Sequence, residues 1–378
     1  MKGISVLIID GETNVALPVA RCLYRVPNLK LNVISDNPWV HIRFSRCKLS
    51  HRVQMPGNND EKRLDAIRQT ITQTNDDIIL PVSEPAIRFV SKHYEVLKGI
   101  AAIPLTPKLD VFDIAVNKWL LADFMVKQGI PCPHTVLCTA DEEFVQNLHK
   151  LSFPVLLKPT QGSDGRNIQY FDNQSSLLDF LKGNQSFFHK YIVQSFINGH
   201  DIDCSVLCQD GKILAYTIQK GFIPGSQRFA SPVGIEFLRD EQTLDVVTRL
   251  ISTLNWSGIA HIDLRYDELD KQVKVLEINA RYWATLLGSL VVGVNFPSLA
   301  CMAALGVSFP VPAYHLKRFI GNGAAIKHGA RRYIHNGKVD FSFQETNWRY
   351  VLTDPFPELF NLVRKCSWFL GKQHRITM

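Results

Sequence analysis

The chain has 378 residues, 46% hydrophobic and 20% charged, with 42 Lys and Arg against 35 Asp and Glu for a net charge of +7. This is the composition of a soluble globular protein of two or three domains, and it excludes a disordered chain, a collagen-like chain and a coiled coil. Eight cysteines, at 22, 47, 132, 138, 204, 208, 301 and 366, form no CxxC pair, so they read as reduced thiols of an intracellular, cytoplasmic protein rather than as a disulfide framework or a zinc site.

Residues 4–9, Ile-Ser-Val-Leu-Ile-Ile, read as a buried strand, and the apolar run stops at Asp10, too soon for a signal peptide. Helical periodicity follows at 15–26. Strands are expected at 31–35 and 77–83, helices at 60–74 and 86–97. This alternation predicts a parallel, doubly wound α/β sheet over about the first 105 residues. Its first turn lacks GxGxxG, which gives dinucleotide binding no support. Pro104-Leu105-Thr106-Pro107 reads as a linker, and the next helix is expected over 111–128, ended by Gly129 and Pro131.

Strands are then expected at 153–160, 167–171, 191–197, 202–208 and 212–219, the last two joined by the hairpin signal Gln209-Asp210-Gly211. Residues 220–236 read as a loop, a plausible active-site cover. A helix at 240–254 leads into strands at 259–267 and 272–279. From Tyr282 to Leu316 there is no Asp, Glu, Lys or Arg, but Asn295-Phe296-Pro297 divides the stretch. Each piece is shorter than the ~20 residues a bilayer crossing needs, so two buried helices are expected and no transmembrane span. Beyond 309 the pattern loosens into short strands with Gly-Asn-Gly and Asn-Gly turns, then a helix near 357–370.

Three segments carry chemistry. Lys158-Pro159-Thr160-Gln161-Gly162-Ser163-Asp164-Gly165-Arg166 lies between two strands. A Gly-rich turn lets backbone N–H groups approach phosphate oxygens, and a lysine before it adds a point charge; alone, it is equally an ordinary hairpin turn. In Glu277-Ile278-Asn279-Ala280-Arg281, Glu277 and Asn279 share a strand face, and Asp263 lies at the same end of a neighbouring, antiparallel strand. Two carboxylates and an amide oxygen are hard ligands that suit Mg²⁺, and Arg281 can reach a transferring phosphoryl oxygen. Gln194-Ser195-Phe196-Ile197-Asn198-Gly199-His200-Asp201 could offer exposed backbone groups to an adenine edge and a carboxylate to ribose hydroxyls, but read alone it is more readily a strand end with a helpful Gly. His261, two residues before Asp263, reads more readily as a satisfied core histidine than as a ligand.

Lys118, then Lys158 with its Gly-rich turn, then 194–201, then Asp263 and 277–281 occur in an order and spacing that resemble the ATP-grasp superfamily, and within it the carboxylate–amine ligases related to carbamoyl-phosphate synthase. The resemblance covers residues 1 to about 308, with 277–306 among its most characteristic segments. It implies an N-terminal α/β domain at 1–107, an ATP-grasp module of two α+β subdomains at 108–308, and a basic extension at 309–378 expected to pack on that module. It further implies that Lys118, Lys158, Gly162, Ser163 and Gly165 meet the phosphates of ATP. Gln194 and the backbone of Ser195 and Ile197 would read adenine, and Asp201 the ribose. Asp263, Glu277 and Asn279 would hold Mg²⁺, with Mn²⁺ as the alternative. Gln194 and Ser195 stand where related families often carry Glu, and Asp164 is an acidic residue in a loop where small neutral residues are commoner.

The expected activity is that of an ADP-forming ligase joining a carboxylate, of an amino acid or small peptide, to an amine. A carbamoyl-phosphate-type or thioester-forming reaction and a non-catalytic nucleotide-binding module are the alternatives. On the substrate side, Lys220 and Arg228 are candidates for phosphate or carboxylate binding, and Glu84 for an amine, although Glu84 fits a helix cap at least as well. Partners are then small-molecule substrates, with a homodimer left open and no nucleic acid expected. The charge excess points elsewhere. Residues 309–378 hold eleven Lys and Arg against four Asp and Glu, the whole +7, and an acidic partner or membrane surface is the alternative to packing on the module.

Overall fold

Every side chain of the strand β1 (Ser5–Ile8) is buried, as a strand covered on both faces requires. With β2 (Lys30–Ser35), β3 (Ser50–Val53) and β4 (Ile78–Leu80) it forms a parallel sheet in the order β3-β2-β1-β4. Just past β1, the buried carboxylate of Asp10 accepts from the amides of Val82 (3.1 Å) and Ser83 (2.8 Å), tying the end of β1 to the turn after β4. The flanking helices start on side-chain caps, Asn59 for Asp60–Thr74 and Ser83 for Glu84–Lys92. Their apolar faces close a core with Leu7, Ile9, Ile67, Ile79 and Val90.

The computed structural model describes residues 3–54, 59–162, 165, 167–225, 229–336 and 341–373. They divide into two units. The first comprises Met1–Thr106, Arg281–Pro310 and Ile320–Met378; the second comprises Pro107–Ala280 and Val311–Phe319.

From residue 320 on, the basic extension belongs to the first unit. Asp354 explains why. It is buried and accepts from Arg21 Nε (3.4 Å), the Ser45 hydroxyl (2.8 Å) and the Arg46 amide (2.8 Å). Arg21 also grips Glu358 through both terminal nitrogens, at 2.9 and 2.8 Å. Phe360 stacks on Phe44 with ring centroids 4.5 Å apart. The pair of helices expected after 282 is present, Leu286–Val291 and Phe296–Ala304, and it too lies in the first unit. A helix, Asn322–Asn336, replaces most of the short strands expected beyond 309. Among the described residues, no helix is long and apolar enough to cross a membrane.

The second unit is built on two antiparallel sheets. β5 (Thr135–Leu137), β6 (Val155–Pro159), β7 (Gln169–Phe171) and β8 (Tyr191–Ser195) run in the order β5-β8-β6-β7. They pack with the helices Glu142–Leu148 and Gln174–Lys182 around Phe144, Leu157, Leu177 and Val193. β9 (Gly199–Gln209), β10 (Lys212–Ile223), β11 (Gly234–Leu238), β12 (Gly258–Asp267), β13 (Gln272–Asn279) and β14 (Arg318–Ile320) run in the order β13-β12-β9-β10-β11-β14. The β9–β10 hairpin turns on Asp210 and Gly211, both at positive φ (47° and 75°), the geometry a two-residue turn needs.

Two expectations change here. The single helix over 111–128 is two, Leu109–Val116 and Lys118–Lys127, because the side chain of Asn117 accepts from the amides of Trp119 and Leu120 and starts a new helix. The loop over 220–236 shrinks to 224–233, because β10 and β11 continue pairing through Lys220↔Glu236 and Gly221↔Ile235 despite the glycines and prolines nearby. Cross-strand hydrogen bonding outweighs local turn composition there.

Candidate active site

Strand alternation separates the two faces of the six-stranded sheet. In register across four strands, Ile218, Cys204, Ile262 and Ile278 form one row, all buried, and the helix Glu241–Leu254 packs on the sheet with Val247, Leu250 and Ile251. One residue along, Gln219, Asp203, Asp263 and Glu277 form the corresponding row on the other face. The next row on that face holds Ser205, His261 and Asn279. Three carboxylates therefore stand side by side on adjacent strands.

Their electrostatics follow from burial and neighbours. Burial pushes the Asp203 carboxyl up to about 7; the charges of Asp201 and Glu277 add to this, and a hydrogen bond from Gln219 Nε2 (3.1 Å) opposes it. Burial would also raise Glu277, but the Lys118 ammonium, 2.7 Å from Glu277 Oε2, outweighs it with help from Asp263 and Lys158 and holds the carboxyl below its usual range. His261 Nδ1 lies 2.9 Å from the Ser205 hydroxyl, and Nε2 lies 3.5 Å from Asp263 and 4.0 Å from Asp203. Asn279 Nδ2 donates to Asp263 Oδ1 at 3.2 Å.

The two lysines arrive from separate elements. Lys118 is the first residue of the helix that Asn117 caps; its amide donates to the Thr160 carbonyl at 2.9 Å, and its ammonium to the Gly162 carbonyl at 2.9 Å. Lys158, on β6, is buried and donates to Gln194 Oε1 at 2.7 Å, while Gln194 donates onward to the Thr135 hydroxyl at 3.0 Å. Desolvation lowers the Lys158 ammonium to about 8 against the pull of Glu277.

The adenine-side candidates are engaged within the unit. The Ser195 amide donates to the His134 carbonyl (2.9 Å), the Ile197 carbonyl accepts from Arg265 Nε (2.8 Å), and Asp201 is ion-paired with the Arg265 guanidinium. Gly162 and Gly165 both have positive φ, 128° and 66°. A Cβ on Gly165 would lie 2.1 Å from the Phe229 carbonyl, so only glycine permits that approach. Ser163, Asp164, Arg166 and Arg228 lie outside the described residues.

One predicted residue is not brought to the carboxylate face. Lys220 pairs in register with Ile202, one residue out of phase with Asp203, and so projects from the opposite face. Glu84 and Arg281 belong to the first unit, where Arg281 Nε lies 3.7 Å from Glu84 Oε1 at the start of the helix that Ser83 caps. Asp203 and Gln219 are the functional candidates that sequence reasoning missed. The alternation Asp201-x-Asp203-x-Ser205 within β9 was the available signal. His261 is not a core residue closed off by apolar neighbours. Its ligand atom and those of Asp203 and Asp263 lie within 4.8 Å of one another.

Residues 115–285 match the model of the ATP-grasp domain family. This stretch is similar to an ATP-grasp domain. The carbamoyl-phosphate synthase of Methanobrevibacter smithii is 25% identical over 243 residues, 61% of this chain and 65% of the relative. The D-alanine–D-alanine ligase of Anaplasma marginale is 23% identical over 220 residues, 53% of this chain and 65% of the relative. The chain thus spans about two thirds of the length of these curated relatives, slightly less than that fraction in both. Among solved structures, N5-carboxyaminoimidazole synthetase from Staphylococcus aureus, complexed with ADP, shares the fold with a TM-score of 0.69 at 14% identity, covering 89% of this chain and 87% of that one. L-amino acid ligase from Bacillus licheniformis superposes with a TM-score of 0.59 at 20% identity, covering 81% and 75%. The ATP-grasp donor set fits a hard divalent cation: Asp263 and Glu277 supply carboxylates, Asn279 an amide, and Asp203 a further carboxylate in the same row.

Proposed function

We propose that the protein is an ATP- and Mg²⁺-dependent ligase that activates a carboxylate as an acylphosphate, releases ADP, and couples the acyl group to an amine. The observation that supports this best is the row Asp203–Asp263–Glu277 with Lys118 and Lys158 reaching the same site from two other elements. A carboxylate oxygen bonds to the γ-phosphorus as the bond from that phosphorus to the β,γ-bridging oxygen breaks. The amine nitrogen then bonds to the acyl carbon, phosphate leaves with the electrons of the C–O bond, and the amine releases a proton. Lys118 and Lys158 set positive charge against the phosphate oxygens. Asp263, Glu277 and Asn279 would hold Mg²⁺, which would supply Lewis-acid shielding of that charge. The adenine lies along Gln194–Ile197 and the ribose at Asp201, whose pairing with Arg265 rearranges to receive it.

The carboxylate and amine are those of amino acids or small peptides, a reading supported by the similarity to a D-alanine–D-alanine ligase and an L-amino acid ligase. The test is incubation with Mg²⁺-ATP and pools of amino acids, other carboxylic acids or bicarbonate, following ADP, AMP and phosphate. ADP and phosphate that depend on an amino-acid pool are expected. Dominant AMP release overturns the acylphosphate route, and turnover with bicarbonate alone overturns the amino-acid assignment.

A further inference from the structure

The excess charge and the exposed apolar surface of this chain coincide. The stretch 309–378 carries the whole +7. In the same stretch, Ile326 and Tyr333 of the helix Asn322–Asn336, and Phe356, Leu359, Leu362 and Val363 of the helix Phe356–Gln373, are all more than half exposed. At 3.6 residues per turn, the last four fall on one arc of about 120°. The docked side of that helix carries the buried Pro357 and Phe360, which stacks on Phe44. Arg21 holds Asp354 and Glu358 at the start of the helix, so the outward direction of the arc is set by a buried ion pair.

The occupant follows from the width of the arc and from its charge. A coiled-coil seam is narrower, and its flanking positions carry charges that set register; here Phe360 and Leu362 stand there instead. A second copy would also bring another strongly basic segment against this one. An anionic bilayer matches both properties, taking apolar side chains to head-group depth and attracting Arg and Lys. We infer that the apolar arc of the helix Phe356–Gln373 docks on an anionic lipid bilayer, lying in its interface without spanning it. The inference stands independently of the proposed ligase activity.

The test is sedimentation of the full chain with vesicles of phosphatidylcholine alone, or with about a third phosphatidylglycerol. Sedimentation with the anionic vesicles only is expected, weakening as added salt shortens the Debye length. The double variant Leu359→Ser, Val363→Ser is expected to lower partitioning by about tenfold or more, with the thermal unfolding midpoint and vesicle-free ATP turnover unchanged, since both positions are exposed. Equal sedimentation with neutral and anionic vesicles, none with either, or unchanged partitioning of the double variant overturns the inference. So does a concentration-dependent dimer that the same double variant abolishes without any lipid binding, because a second copy then covers the face.

Discussion

Two buried groups of charges in this chain are built in opposite ways. Around Asp354 each carboxylate oxygen has a donor, and Arg21 is shared between Asp354 and Glu358 with three of its nitrogens used. On the ATP-grasp sheet, three carboxylates stand beside one another, with Asp203 raised to about 7, Glu277 held low and Lys158 brought down to about 8. The first arrangement is complete and joins segments 333 residues apart. The second pairs Glu277 with Lys118 but crowds three carboxylates onto adjacent strands. Titrations driven apart by burial and crowding mark a place for chemistry, whereas a saturated network marks a fastening.

Substitutions should separate the two cleanly. Glu277→Ala is expected to lower turnover by about 10³-fold or more while leaving the unfolding midpoint within a few degrees of wild type; retained turnover in a steady-state assay would erase the contrast. Asp354→Ala does the reverse. It leaves Arg21 Nε, the Ser45 hydroxyl and the Arg46 amide without their buried acceptor and should cost about 3–5 kcal/mol in denaturant unfolding of the first unit, with ATP affinity unchanged by calorimetry. Smaller is the effect of pH on ATP binding. Lys158, lowered to about 8 by burial, is increasingly neutral in the free protein above that pH and must take up a proton to face phosphates. Affinity should therefore fall, by at most about tenfold per pH unit, between pH 8 and the ordinary lysine range, with proton uptake visible as buffer-dependent binding heat. Heat independent of the buffer would show that Lys158 does not titrate on binding. Smallest is Glu358→Gln at the half-exposed end of the Arg21 cluster, where a loss below about 1 kcal/mol is expected from the same unfolding curves.

Legibility in the sequence followed the range of the forces involved. The parallel strands of the first unit were readable because apolar runs alternate with amphipathic helices. Asp263, Glu277 and Asn279 were readable because period-two spacing puts Glu277 and Asn279 on one face. Asp203 was not, because its place beside Asp263 depends on the β9–β12 register, which no local pattern encodes. The same limit hid Lys220: its chemistry suits a phosphate, but the strand phase turns it to the other face. The anchoring of the extension was hidden for another reason. Its charge was visible, but the buried Asp354 that anchors it looks in sequence like any acidic residue before a proline.

The first unit is assembled from three separated stretches of chain, and the Arg21–Asp354 fastening closes it. During synthesis at 5–20 residues per second, Arg21 waits roughly 20–70 s for its partner to be made. Residues 107–280, all of the second unit except 311–319, are complete well before that. The interior of the sequence can thus reach its native contacts while its beginning is still without a closing piece, so that the earliest-made segment is among the last to be finished. A ribosome stalled shortly before codon 354 would display a formed nucleotide module on an unfinished scaffold, exposing the apolar faces that the last segments cover.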